Sequence, residues 1–300
     1  MALTGSGQIK LSEIATEYGG SEPHALSEYH DKGNAPASGE IQLAADFYGT
    51  SNTFSFSITS NASQVNLRST AVSAGWDGSS NLLATINSGV IIYSGSTGTP
   101  AMTIDGSYPG GVTLTNNGTI LGRGGNGGTV ASMSCNCSCC GTGCTSDGGA
   151  GGTGLSISSA VTIDNGSGRI SGGGGGGGAG MQVNVWNQPG ASGGGGIGNG
   201  AGGSGPRAGG SGSLTSAGGP GSRCICTEGT YLAGGAGGSG GSYGASGGNG
   251  GNSQCGGTSP CGPAPGSCAS KSNGGAGGAA TSGASNVTWT ATGTRNGTVG

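Results

Sequence analysis

A triplet of two glycines and one other residue recurs along the second half of the chain and limits what the protein can fold into. In residues 233–252, AGGAGGSGGSYGASGGNGGN, the positions Ala233, Ala236, Ser239, Ser242 and Ala245 fall three apart, and Ser246, Asn249 and Asn252 continue in a second phase. The same triplet runs through Arg123, Asn126 and Thr129, through Asp147, Ala150 and Thr153, through Ala201, Ser204 and Arg207, and through Asn273, Ala276 and Ala279. A period of three fits neither an α-helix nor a strand. It fits the polyproline II conformation, with three residues per turn and a rise of about 3.1 Å. Glycine reaches those dihedrals easily and leaves two faces bare, so backbones can approach closely and hydrogen-bond. Collagen fits badly, because it needs one glycine in three and abundant proline; these bursts are two-thirds glycine, and 300 residues hold 10 prolines. A flexible linker is the competing reading. Against it, Trp186, Tyr231, Leu232 and Tyr243 interrupt the tracts, and a strand-like segment follows them.

The expected fold class is therefore mainly β and irregular: short N-terminal helices, a small β domain, then a glycine-rich polyglycine II helix bundle with disulfide-tied loops. The expected division is residues 1–50, 51–121, 122–285 and 286–300. The first segment repeats a short unit, LSEIATEYGG at 11–20, LSEYHDKG at 26–33 and LAADFYGT at 43–50. Ser12 and Ser27 stand as N-caps, and Gly19, Gly33 and Gly49 as C-terminal stops. Helices of one or two turns are too short to stand alone, so the segment reads as a docking module that orders against a partner chain. His24 and His30 read as solvated. Residues 51–121 read as strands, from the alternation of Phe54, Phe56 and Ile58 and from apolar runs at 65–67, 81–86, 89–93 and 112–114. Trp76 reads as a packing residue. An internal repeat links VTLTNNGTILGRGGNGG (112–128) to VTIDNGSGRISGGGGGGG (161–178): strand, Asn-Gly turn, short strand, glycine tract. The ending, NVTWTATGTRNGTVG, alternates again and closes back on the β part.

All ten cysteines, Cys135, Cys137, Cys139, Cys140, Cys144, Cys224, Cys226, Cys255, Cys261 and Cys268, lie in the glycine-rich half. A fold with little core needs staples, so disulfides formed after release are the preferred reading. A metal site and free thiols are the alternatives; the cluster at 135–144 lacks the usual zinc spacing, and no metal or other cofactor is expected. A net charge of −3 with 7% charged residues leaves no basic patch for nucleic acid. No apolar run is long enough to span a membrane, and the N-terminus does not read as a signal peptide. No nucleophile–base set, acid/base pair or phosphate loop can be argued, so no enzymatic activity is expected. The segments between glycine tracts, 181–192, 215–232 and 252–272, read as loops on a rigid scaffold, where recognition surfaces are built. The candidate binding residues are Trp186, Arg207, Arg223, Glu228, Tyr231, Tyr243 and Lys271.

Together, GQIKLSEIATEYGG with SGEIQLAADFYGTS, VNLRSTAVSAGWDGSSNLLATINSGV (65–90), VTLTNNGTILGRGGNGG and VTWTATGTRNGTVG resemble bacteriophage tail and fibre proteins. The glycine-rich half is similar to the receptor-recognising adhesins at the tips of T-even-type long tail fibres. In those adhesins polyglycine II helices form a sandwich whose distal loops touch the bacterium. Ten cysteines depart from that pattern. The resemblance implies a virion tail component, made in the bacterial host cytoplasm, that joins other tail, baseplate or fibre proteins through residues 1–50. It implies binding to a host surface receptor, a glycan or an outer-membrane protein, and leaves self-association as a trimer open. The alternatives are a purely structural fibre or decoration protein and a glycine-rich ice-binding protein.

Overall fold

The computed structural model describes residues 3–130, 145–181, 190–205, 207–222, 225–226, 231–233, 235–252, 254–256 and 271–300. Its framework is a three-sided coil of parallel strands. The first coil runs through β1 (Thr53–Ile58), β2 (Ala62–Ser63) and β3 (Val65–Asn66), and the second through β4 (Asn81–Ile86), β5 (Ile91–Tyr93) and β6 (Met102–Ile104). The third comprises β7 (Val112–Asn116), β8 (Thr119–Leu121) and β9 (Leu155–Ile157). The fourth begins with β10 (Val161–Asp164) and β11 (Arg169–Ser171). A separate three-stranded sheet, β12 (Ile225–Cys226), β13 (Tyr231–Ala233) and β14 (Gln254–Gly256), interrupts that coil before β15 (Thr281–Ser282) completes it. The last coil holds β16 (Val287–Ala291) and β17 (Thr294–Asn296). The first four coils visit the same three sheets in the same order and the last adds a strand to two of them, giving β1-β4-β7-β10-β16, β2-β5-β8-β11-β17 and β3-β6-β9-β15.

In-register stacking explains the alternation in the sequence. Phe56, Ala84, Leu114, Ile163 and Trp289 form one inward column. Ala62, Ile92, Ile120 and Ile170 form a second, and Val65, Met102 and Leu155 a third. These columns meet in one apolar core. A polar ladder turns the corner between two sheets: the Asn116 amide donates to Asn165 Oδ1 at 2.7 Å, and the Asn165 amide donates to the Thr292 carbonyl at 2.8 Å. At the last coil the second column holds Arg295, which pairs with Ile170 and sets its guanidinium 4.8 Å from the centre of the Trp289 ring. This charged side chain covers the aromatic end of the core.

The fold class expected from the sequence is overturned. The framework is parallel β-sheet, not a polyglycine II bundle stapled by disulfide-tied loops. The glycine tracts are two excursions from the coil, each leaving at the end of one sheet and returning at the next, between β8 and β9 and between β11 and β15. The physical reason is where apolar burial lies: the main hydrophobic cluster is built mostly from strand residues of the coils. No disulfide-tied loop belongs to the described residues. Cys135, Cys137, Cys139, Cys140, Cys144, Cys224, Cys261 and Cys268 lie outside them, and Cys226 and Cys255 are described only as strand positions.

The excursions are nonetheless tied backbone to backbone. Gly173 and Gly176 donate to Gly152 and Gly149, Gly174 and Gly177 to Ile197 and Gly194, and Gly175 and Gly178 to Ala245 and Gly248. Each third residue of the buried segment 172–180 therefore returns to the same neighbour, which accounts for the triplet in the sequence.

Residues 3–50 form a small unit with its own core. Helices α1 (Leu11–Tyr18) and α2 (Leu43–Phe47) and a 3-10 turn at Leu26–Tyr29 bury Ile14, Tyr29, Ala35 and Phe47. The expected serine caps do not form. The α1 N-cap is Lys10, whose N–H donates to the Glu13 carboxylate at 2.9 Å, and Ala25 precedes the 3-10 turn. Gly19 does close α1. His24 is not simply solvated; it lies 3.2 Å from the Tyr29 hydroxyl and 3.2 Å from a Glu22 carboxylate oxygen. A third helix, α3 (Leu67–Ser73), stands where the sequence suggested a strand running on through Leu67. The Asn66 side chain caps it by accepting from the Ser69 N–H at 2.9 Å. Trp76 packs as expected, buried, stacked 5.6 Å from Tyr108 and donating its indole N–H to the Ser80 carbonyl at 2.9 Å.

Candidate functional site

The glycine tracts have two ends. The end beside the coil carries the tight turns at 198–199, 213–216 and 243–245, where the Gly198 N–H donates to Ser213 and the Gly244 N–H to Gly172. At the far end the tracts are cross-linked by other pairs. Met181 donates to Gly251, Gly235 to Met181, Ala191 to Gly235, and Ser272 to Ala179. Ser192 donates to Arg207, Gly221 to Ser192, and Val130 bridges Thr145. The described residues that flank 131–144, 182–189, 223–234 and 253–270 are thus gathered at one end of the molecule, away from the coil.

Two of those segments join in the antiparallel sheet β12-β13-β14, in which Ile225 pairs with Ala233 and Tyr231 with Gly256. The expected loops 215–232 and 252–272 are therefore parts of one unit. Within it Cys226 and Cys255 both pair with Leu232, from opposite sides. Two strand spacings of about 4.8 Å set their Cα atoms about 10 Å apart, beyond the reach of a bond between them.

The far end brings together most of the candidate residues that are described. Arg207 is exposed on the turn whose carbonyl holds Ser192, Lys271 is exposed beside Ser272, and Tyr231 lies in the central strand of the small sheet. Trp186, Arg223 and Glu228 lie outside the described residues. Tyr243 is at the opposite end. Its ring lies 4.2 Å from the Arg169 guanidinium and its hydroxyl donates to the Leu214 carbonyl at 3.5 Å, so it fastens a glycine turn to the coil. Arg169 carries no local signal in the sequence, because its partner is distant in the chain. Among the described residues no group of three or more His, Cys, Asp or Glu side chains could hold a metal ion.

Burial and hydrogen bonding together set the charge near the coil. Tyr108 is pushed up to about 12, by burial first and by the neighbouring Asp105 second, against the opposing charge of Arg68. Burial also raises the Asp77 carboxyl, but hydrogen bonds from Ser80 and Ser79 together outweigh it and hold the group below its ordinary value.

The phage tail fibre adhesin family Gp38 matches the chain over residues 53–300. Among solved structures, the crystal structure of the gp37-gp38 adhesin tip complex of the bacteriophage S16 long tail fibre is similar, with 23% identity and a TM-score of 0.56. The match covers 98% of this chain and 94% of that one, and at this identity it speaks to the fold. No curated protein matches the chain.

Proposed function

Because the chain belongs to the Gp38 family of phage tail fibre adhesins, a component of the virion tail that binds a host receptor, we propose that its receptor surface is the far end of the glycine tracts. The observation that supports this reading is the gathering at one end of the described residues that flank 131–144, 182–189, 223–234 and 253–270. The tracts themselves offer little but backbone and small side chains. Specificity therefore belongs to the segments between them, where Trp186, Arg223, Glu228, Tyr231 and Lys271 lie, and to the turn that carries Arg207. Tyr243 is left out of this surface because it is engaged with Arg169. The role is binding, not catalysis.

Residues 1–50 dock the adhesin on its fibre. They lie outside the span of the family match, and Leu3, Ile9, Leu11, Ile41 and Leu43 are only partly buried around a small core. The S16 structure, a complex of gp37 with gp38, supports a fibre protein as the partner.

Binding energy at such surfaces concentrates in a few aromatic and cationic residues. Trp186→Ala and Tyr231→Ala should each weaken adsorption of the purified protein to host cells at least tenfold, about 1.4 kcal/mol, with an unchanged circular dichroism spectrum. Two folded variants that adsorb like the parent would place recognition elsewhere.

A further inference from the structure

Where the N-terminal unit meets the first two coils, the surface opens into a cleft of about 450 Å³ that plays no part in the far-end surface. Thr16 and Glu17 at the end of α1 form one wall, Asn52 another, and the turn leading through Ser79 to Asn81 forms the floor. That floor is fixed before any ligand arrives. The Asp77 carboxylate accepts the N–H groups of Ser79 and Ser80 at 2.9 and 2.8 Å and the Ser80 hydroxyl at 2.9 Å. Gly110 presses against it, since a Cβ there would lie 2.7 Å from the Ser79 carbonyl oxygen.

The backbone along the walls is already satisfied. The Asn52 N–H donates to Glu17 at 3.0 Å, and the Asn81 N–H donates to the Asn52 carbonyl at 3.0 Å. The side-chain amides of Asn52 and Asn81, by contrast, have no hydrogen-bond partner among the described residues, and both line the cleft. Each amide presents two N–H donors and a carbonyl acceptor, and the Ser79 hydroxyl, whose hydrogen is directed at Asp77, adds an acceptor. Among the described residues no Lys, Arg or His lines the cleft, so none of them is there to hold an anionic ligand. Apolar lining is nearly confined to Pro109, so a hydrophobic ligand gains little.

The geometry points to a subsite for a neutral sugar, whose hydroxyls both donate and accept and match the paired amides of Asn52 and Asn81. The walls are tied to each other without the ligand, Asn52 to Glu17 on one side and Asn81 to Asn52 on the other, which lowers the ordering cost of binding. The site shares no residue with the far-end surface and would hold a surface glycan unit independently of it.

Saturation-transfer NMR on the full chain with free glucose, galactose and N-acetylglucosamine, and with sialic acid as the acidic control, tests the assignment. Transfer is expected to at least one neutral sugar and not to sialic acid. It should fall at least tenfold in Asn81→Leu and in Thr16→Arg, which fills the cleft from an exposed helix position. Should Asn81→Leu fail to fold, Thr16→Arg decides. Transfer to no neutral sugar, or transfer that survives Thr16→Arg, overturns the proposal. So does loss of transfer in Tyr231→Ala, which would assign the sugar to the far-end surface instead; retention there keeps the two sites distinct.

Discussion

Replacing Gly176 by alanine isolates the close backbone contact on which the glycine excursions depend. Gly176 is buried in the central segment. A Cβ built on it would overlap the carbonyl group of Asn126 and lie 2.9 Å from the Gly127 nitrogen, where about 3.5–4.0 Å is comfortable. No rotamer relieves a Cβ, so segment 122–130 must retreat. Two of its hydrogen bonds are then at risk, Gly149 N–H to the Asn126 carbonyl at 2.7 Å and Gly127 N–H to the Ala201 carbonyl at 2.8 Å. Leaving a buried backbone group unpaired costs about 1–3 kcal/mol, so the loss should be about 2–6 kcal/mol, a large share of the stability of an ordinary domain. Gly219 is the control, because a Cβ there meets nothing within 4 Å. Gly219→Ala should be neutral or stabilising by up to about 1 kcal/mol. Urea denaturation followed by circular dichroism measures both. Equal midpoints for Gly176→Ala and the parent, or equal damage from the two substitutions, would refute the argument from close packing.

Two further predictions concern the coil. Asn165→Ala removes the acceptor of the Asn116 amide and the donor to the Thr292 carbonyl, and should lower stability by about 1–3 kcal/mol; a urea midpoint like the parent's would show that the ladder contributes nothing. Tyr108 ionises at about 12 when folded and near 10 when unfolded, so its contribution is complete below pH 10 and is lost as pH rises through about 12. Melting across that window should show a decline that Tyr108→Phe reduces; an identical decline in the variant would assign it to other groups.

Legibility in the sequence varied with the range of the interaction. Phe54, Phe56 and Ile58 announced β1, and the run 81–86 announced β4, because a half-buried strand of six residues alternates visibly. β6 and β9 passed unread, since three residues carry too little pattern to distinguish a strand from a loop. The repeat at 112–128 and 161–178 was visible, but it corresponds to two of five coils. The other three carry Phe, Leu, Ala, Trp and Arg at the equivalent positions, which hides their kinship. At the far end, residue type identified Arg207, Tyr231 and Lys271 as candidates. Tyr243 has the same chemistry and a different place, which Arg169 decides across a long stretch of chain.

What the sequence determined alone was local: the glycine period, the alternation of longer strands, the burial of Trp76, and a resemblance strong enough to indicate the adhesin family. Only the tertiary structure decided that the framework is a parallel coil with the glycine tracts as excursions. Parallel pairing joins residues far apart in the chain, Thr113 with Thr162 and Val161 with Val287, and no local pattern encodes which strand follows which. The same holds for the gathering of the far-end segments. It depends on hydrogen bonds between backbones that carry no side chain, and a glycine looks the same in the sequence whichever neighbour it meets.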